Sequence, residues 1–159
     1  LVAYQMQVDG LIVMAAPLHI PSPMLAHASK IKFLKRTFDA HDPSDLSVTI
    51  RTEQLARGEP NLGRVRYERM PTQTYQEIYD LMQAVKPLLP EIRTPACAIY
   101  ARHDKTVPFL NYQLMVDGLH NTHLESHILE KSGHVMTHDI EKETVFKTVT
   151  DFIKSQIDQ

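Results

Sequence analysis

The sequence predicts an α/β fold with parallel strands joined by crossover helices, and three observations carry that prediction. Residues 10–16 form an unbroken apolar run, as a strand covered on both faces requires. Two later strand-like segments end abruptly in polar loops, the apolar run from Ala96 in Ala101-Arg102-His103-Asp104 and residues 124–129 in Glu130-Lys131-Ser132-Gly133-His134. Between and after these runs lie segments whose apolar residues recur at three and four. The resulting order is strand, helix, strand, helix, strand, helix.

Taken in chain order, residues 1–7 are mildly apolar with no decisive period. The run 10–16 is closed by Pro17, and Pro21 and Pro23 stiffen its exit. Met24, Ala28, Ile31, Leu34 and Phe38 predict an amphipathic helix whose outer face carries Lys30, Lys32, Lys35 and Arg36. Asp45 is placed to cap a further helix through Leu55, and residues 61–70 read as loop. Helix returns over 74–86, with Tyr75, Ile78, Tyr79, Met82 and Val85 on one face and Pro87 as its stop. After the strand that begins near Ala96, Leu110, Leu114 and Met115 mark a short helix ending near Gly118. The last helix follows Asp139, its predicted N-cap, with Val145, Phe146, Val149, Phe152 and Ile153 facing inward.

Composition narrows the function classes. A chain of 159 residues with 43% apolar and 23% charged residues can bury a real core. A net charge of −2 with no basic stripe excludes a nucleic-acid binder. The longest apolar run, residues 11–18, falls short of the roughly 20 residues a bilayer demands, so no stable membrane insertion is expected. Cys97 is the sole cysteine and lies in an apolar run; it reads as a small buried hydrophobe in a reducing compartment, the cytoplasm. No basic-then-apolar leader opens the chain. It starts at Leu1 rather than at methionine, so its true beginning is expected to lie upstream.

Asp104 and His134 are the candidate catalytic residues. Each follows a predicted strand, and loops at the C-terminal edge of parallel strands converge on one side of a sheet. Either alone has a plainer reading, Asp104 as a turn former and His134 as a packed loop histidine. Together they match the needs of acyl transfer, where an imidazole moves a proton and a carboxylate orients it. His103 reads either as a residue that fixes the loop or as a solvated neighbour. His134, His138 and Asp139 have an alternative reading as a metal set, against which Ser132-Gly133 places His134 on a turn. His19, His27, His41, His120, His123 and His127 show no partner spacing and read as surface residues.

The residues Ala101-Arg102-His103-Asp104 with Val107-Pro108, then Ser132-Gly133-His134-Val135 with Asp139, resemble the closing half of a bacterial carboxylesterase. The family is the α/β-hydrolase superfamily, near the monoacylglycerol-lipase-like esterases, and residues 8–17 are similar to its strand after the nucleophile helix. The resemblance implies the C-terminal half of an α/β-hydrolase fold. Residues 1–20 would end the nucleophile helix and supply a core strand, 21–70 would form a helical cap insertion, and 71–159 would carry the acid and histidine loops. It implies Asp104 as acid, His134 as base, a small-molecule ester as substrate and no cofactor or metal. In that family the serine precedes the acid, within Gly-x-Ser-x-Gly. The five glycines, Gly10, Gly58, Gly63, Gly118 and Gly133, nowhere frame a serine in this way. Nucleophile and oxyanion donors are therefore expected outside this chain.

Three functional readings follow. The first is a carboxylesterase for short- to medium-chain acyl esters, inactive as these residues alone. The second is a non-catalytic half-domain that pairs with a missing N-terminal segment or with another copy through an unpaired strand edge. The third is a related hydrolase such as a lipase, a peptidase or a haloalkane-type enzyme.

Overall fold

A computed structural model of the chain describes residues 1–21, 36–39, 56, 58 and 69–157. The chain divides into two compact units, one formed by Leu1–Ser22 with Asp80–Gln159 and the other by Pro23–Tyr79. In the first unit, helix α1 (Val2–Gln5) precedes strand β1 (Leu11–Met14), and helix α2 (Thr72–Val85) enters from the second unit. A 3₁₀ helix (Lys86–Glu91), β4 (Ala96–Ala101), α3 (Leu110–Gly118), β5 (Leu124–Leu129) and α4 (Lys142–Ile157) complete it. The second unit contains β2 (Thr37–Asp39) paired antiparallel with β3 (Arg69–Pro71).

The sheet of the first unit is parallel, in the order β1-β4-β5. Leu11 lies opposite Ala96 and Ala96 opposite Leu124, so the three strands foreseen in the sequence pair with one another. All six residues of β4 are buried because it is the central strand. Alternation then divides its side chains between two cores. Ala96, Ala98 and Tyr100 pack with Leu89, Ile92, Val107, Met115 and Leu119, on the side of the 3₁₀ helix and α3. Cys97, Ile99 and Ala101 pack with Leu129, Met136, Val145 and Phe152, on the side of α4. Burial, helped by the Glu125 carboxylate, pushes the Cys97 thiol up to about 11, so it stays protonated and inert at neutral pH.

Several local expectations are corrected. The run 10–16 is not closed by Pro17: β1 ends at Met14, and Ala15 takes a left-handed φ of 44°. β1 is packed on both faces, Leu11 and Val13 against one core and Ile12 against the other, but it is an edge strand of this sheet and Met14 at its end is exposed. Phe38, expected to end a helix, lies in β2, and Arg69 and Met70, expected in a loop, lie in β3. The rest of the helix predicted from Met24, and the segment from Asp45 to Leu55, lie outside the described residues. Helix α2 stops at Val85 before Pro87, yet the chain continues in 3₁₀ form with Pro90 inside it. On α3 the buried positions are Asn111 and Met115, while Leu110 is exposed. That helix approaches the 3₁₀ segment so closely that a Cβ at Gly118 would stand 2.6 Å from Leu89 Cδ1. On α4, Val145 and Phe152 are buried but Phe146 and Ile153 are exposed.

The exit of β1 is held by side chains from elsewhere. The Tyr100 hydroxyl donates to Ala16 O at 2.9 Å, and Asn111 Oδ1 accepts the N–H groups of Leu18 and His19 at 2.7 and 2.6 Å. Asn111 Nδ2 donates to His19 O and Pro108 O, both at 2.8 Å. Every hydrogen-bonding site of this fully buried amide is thereby used, which offsets the cost of burying it. These bonds also sustain Ala15 in a conformation that costs a residue with a Cβ about 1 kcal/mol or more. No helix among the described residues is long and apolar enough to cross a membrane.

Candidate active site

The parallel register carries the loops after β4 and β5 to the same edge of the sheet. Arg102 N–H still donates to Leu129 O at 2.9 Å, so the two loops separate only beyond that bond. Asp104 lies three residues past the end of β4. Its Oδ1 accepts the N–H groups of Thr106 and Val107 at 2.7 and 2.8 Å, a local turn that fixes the carboxylate. Its Oδ2 faces His134 Nδ1 at 2.8 Å. The Asp104 side chain is 2% exposed and that of His134 is 29% exposed. A buried carboxylate with three hydrogen-bond partners meets an imidazole whose other edge reaches solvent.

This geometry sets the tautomer. An ionised carboxylate only accepts, so Nδ1 carries the proton that lies between the two residues. The lone pair of the neutral ring is then on Nε2, the nitrogen left to exchange a proton with a reacting group. The two residues singled out from the sequence are thus brought into contact. The structure supplies orientation and burial, which spacing alone does not.

The other candidates are engaged elsewhere. His138 Nδ1 is 3.1 Å from Thr137 Oγ1, and Asp139 accepts the N–H groups of Gly133 and Ile140, each at 2.7 Å. With His134 turned to Asp104, these three residues do not converge as a metal set. Among the described residues no three His, Cys, Asp or Glu side chains are grouped to hold a metal ion. Asp139 is also not an N-cap; the helix begins at Lys142, and Val145 N–H donates to Glu141 O at 3.1 Å. His103 is exposed. His127, read as a surface residue, is partly buried on β5, with its Nε2 3.9 Å from Glu125 Oε2. His19, His120 and His123 are exposed, and His27 and His41 lie outside the described residues.

Ser132 is not a nucleophile for His134. It is fully buried, its hydroxyl donates to Glu141 Oε2 at 2.8 Å, and it accepts Glu141 N–H at 3.2 Å. Sequence reading overlooked Glu141, Arg102 and Glu130. Arg102 grips Glu130 through two bonds of 2.6 and 2.8 Å, tying the acid loop to the histidine loop. Its guanidinium also stands over the Phe109 ring at 4.7 Å. The only signal available in the sequence was opposite charge directly after two neighbouring strands. The Arg102 guanidinium, above all by hydrogen bonding, holds the Glu130 carboxyl below its usual range.

Comparisons with known proteins agree with this fold. Residues 1–141 match the family described as serine aminopeptidase, S33. A carboxylesterase of Bacillus subtilis (strain 168) is 22% identical over 153 residues, covering 95% of this chain and 56% of that protein. A structure from work on LipS and LipT, two metagenome-derived lipolytic enzymes, has a TM-score of 0.74 at 22% identity, covering 94% of this chain and 56% of that one. The monoacylglycerol lipase of Paleococcus ferrophilus has a TM-score of 0.75 at 14% identity, covering 97% and 62% respectively. The chain therefore spans little more than half the length of these relatives. With its parallel sheet, its flanking helices and a family match over most of its length, the chain belongs to the serine aminopeptidase S33 family of α/β-hydrolases.

Proposed function

We propose that these 159 residues are the C-terminal part of a serine hydrolase of carboxylic esters, with Asp104 as the orienting acid and His134 as the base. The observation that carries the reading is the Nδ1–Oδ2 contact of 2.8 Å at the C-terminal edge of a parallel sheet. In the reaction, a serine outside this chain attacks the ester carbonyl while His134 Nε2 accepts its proton. The imidazolium formed is stabilised by Asp104, then protonates the departing alcohol. Water repeats the sequence: His134 takes its proton as the water oxygen bonds to the acyl carbon, the acyl–serine bond breaks, and the imidazolium returns the proton to the serine oxygen as the carboxylic acid leaves.

Residues 21–70 are read as a cap insertion, and the separate clustering of Pro23–Tyr79 supports that reading. The esterase and lipase names of the relatives support acyl esters over peptides as substrates, and short- to medium-chain acyl groups are part of this proposal. A lone cysteine, which can form no internal disulfide within these residues, fits a reducing compartment, and we propose the cytoplasm.

A second reading concerns the chain by itself, as a half-domain that associates with a preceding segment or another copy. It is favoured by the apolar side chains exposed along α1 (Val2, Tyr4), at Met6, on the edge strand β1 (Met14) and on α4 (Phe146, Ile153). The test of both is p-nitrophenyl butyrate hydrolysis, with size-exclusion chromatography alongside. The chain alone is expected to be inert and to associate. The same residues joined to their upstream segment are expected to hydrolyse the ester and to be blocked by a serine-directed phosphonate. Turnover by the chain alone would overturn the first reading, and a cooperatively melting monomer would overturn the second.

A further inference from the structure

Beyond Asp104, the loop that carries His134 is fastened in a way the acid–base pair does not require. Its four successive N–H groups, from Glu130 to Gly133, all donate to two carboxylates. Those of Glu130, Lys131 and Ser132 reach Glu141 at 3.2, 2.9 and 2.7 Å. That of Gly133 reaches Asp139 at 2.7 Å. The exchange with Glu141 is reciprocal, since Ser132 Oγ donates to its carboxylate at 2.8 Å and accepts its N–H at 3.2 Å. Partial desolvation pushes the Glu141 carboxyl up, but the bonds from Ser132, Lys131 and Glu130 outweigh it and hold the group below its usual range. Glycine is not demanded at position 133 by space, because a Cβ there would meet Asp139 Oδ2 at an ordinary 3.6 Å. Fastened amides, rather than a glycine turn, fix the direction in which the chain enters His134.

We propose that Glu141, assisted by Asp139, is a positioning residue for His134: it clamps the backbone of residues 130–133 so that Nδ1 meets Asp104 and Nε2 faces the reacting groups. The consequence for turnover rests on the reading of His134 as the base; the consequence for the Nδ1–H hydrogen bond does not. A gap of about 1 Å in a catalytic contact is enough to lower turnover on the order of 10²-fold.

The test compares Glu141→Ala with Glu141→Gln in the longer protein by NMR. Glutamine is expected to rescue in large part, because its one oxygen can keep the bonds from Lys131 and Ser132, while its NH₂ meets the Glu130 N–H donor to donor and costs the weakest bond, that of 3.2 Å. In E141A the amides of Lys131 and Ser132 should exchange faster by about tenfold or more. The low-field resonance of the His134 Nδ1 proton should broaden or vanish, whereas E141Q should keep it. In the longer protein E141A should lose kcat about 10²-fold with KM unchanged. If E141A does not fold, Glu141→Asp, whose carboxylate stops one methylene short, takes its place with the same readouts.

The proposal fails if the amides are freed while the His134 resonance keeps its position and lifetime. It also fails if E141Q loses the resonance as fully as E141A, with an equal fall in melting temperature. By contrast, wild-type turnover in a His134→Ala variant of the longer protein would remove the catalytic reading and leave the resonance test standing.

Discussion

Replacing His134 by alanine in the longer protein should lower kcat for p-nitrophenyl butyrate on the order of 10⁶-fold, with the protein still folded. His134 is 29% exposed, so its loss leaves no large cavity, and the effect should fall on chemistry rather than stability. Asp104→Asn should cost less, on the order of 10⁴-fold, for a reason visible in the local bonds. Asp104 Oδ1 accepts two N–H groups, from Thr106 and Val107. An asparagine must keep its oxygen there, and its NH₂ then faces His134 Nδ1. That nitrogen becomes an acceptor, the ring proton moves to Nε2, and the base can no longer take a proton from a serine. Steady-state kinetics of the two variants checks this. Near-wild-type turnover in H134A would contradict it, and an equal loss in both variants would contradict the tautomer argument.

The second large effect is on stability and lies at Asn111. Asn111→Ala removes an amide that serves Leu18 N, His19 N, His19 O and Pro108 O. The Leu18 N–H is buried and loses its partner, and the others must find water at a part-buried site. A loss of about 3 kcal/mol is expected, enough to lower the melting temperature by roughly 10 °C in a domain of this size. Asn111→Asp should fall between, since it keeps the acceptor for Leu18 and His19 and loses the two donated bonds. Differential scanning calorimetry decides the matter, and a melting temperature unchanged in N111A would refute the account of the β1 exit. The same substitution should relax Ala15, whose left-handed φ of 44° depends on that exit being fastened.

What could be read from the sequence was what local pattern encodes. Continuous apolar runs marked β1 and β4, because a strand's cover on its faces appears directly in residue type, whereas β5, with Glu125, Ser126 and His127 inside it, was marked by its apolar ends and the polar loop after it. Asp104 and His134 stood out because each follows such a strand, and parallel pairing brings the following loops to one edge. The misses share a different cause. β2 and β3 are three residues each and are far apart in the chain, Asp39 pairing with Arg69, so neither has a pattern long enough to detect alone. Phe146 and Ile153 fit the helical period of α4, but period identifies a stripe without saying how wide a neighbour covers it. Glu141 was invisible because its partners are chiefly backbone N–H groups, which every sequence offers equally. Asn111, too, binds only main-chain atoms.

The central claim is that this chain supplies the acid and base to a serine that lies outside it. The most direct measurement is mass spectrometry of the longer protein after treatment with a serine-directed phosphonate, with peptide mapping of the adduct, in wild type and in H134A. The account predicts one adduct, on a serine upstream of Leu1, and little or none in H134A, because without the imidazole no base takes the serine proton. An adduct on any residue within these 159, or labelling as fast in H134A as in wild type, would contradict it.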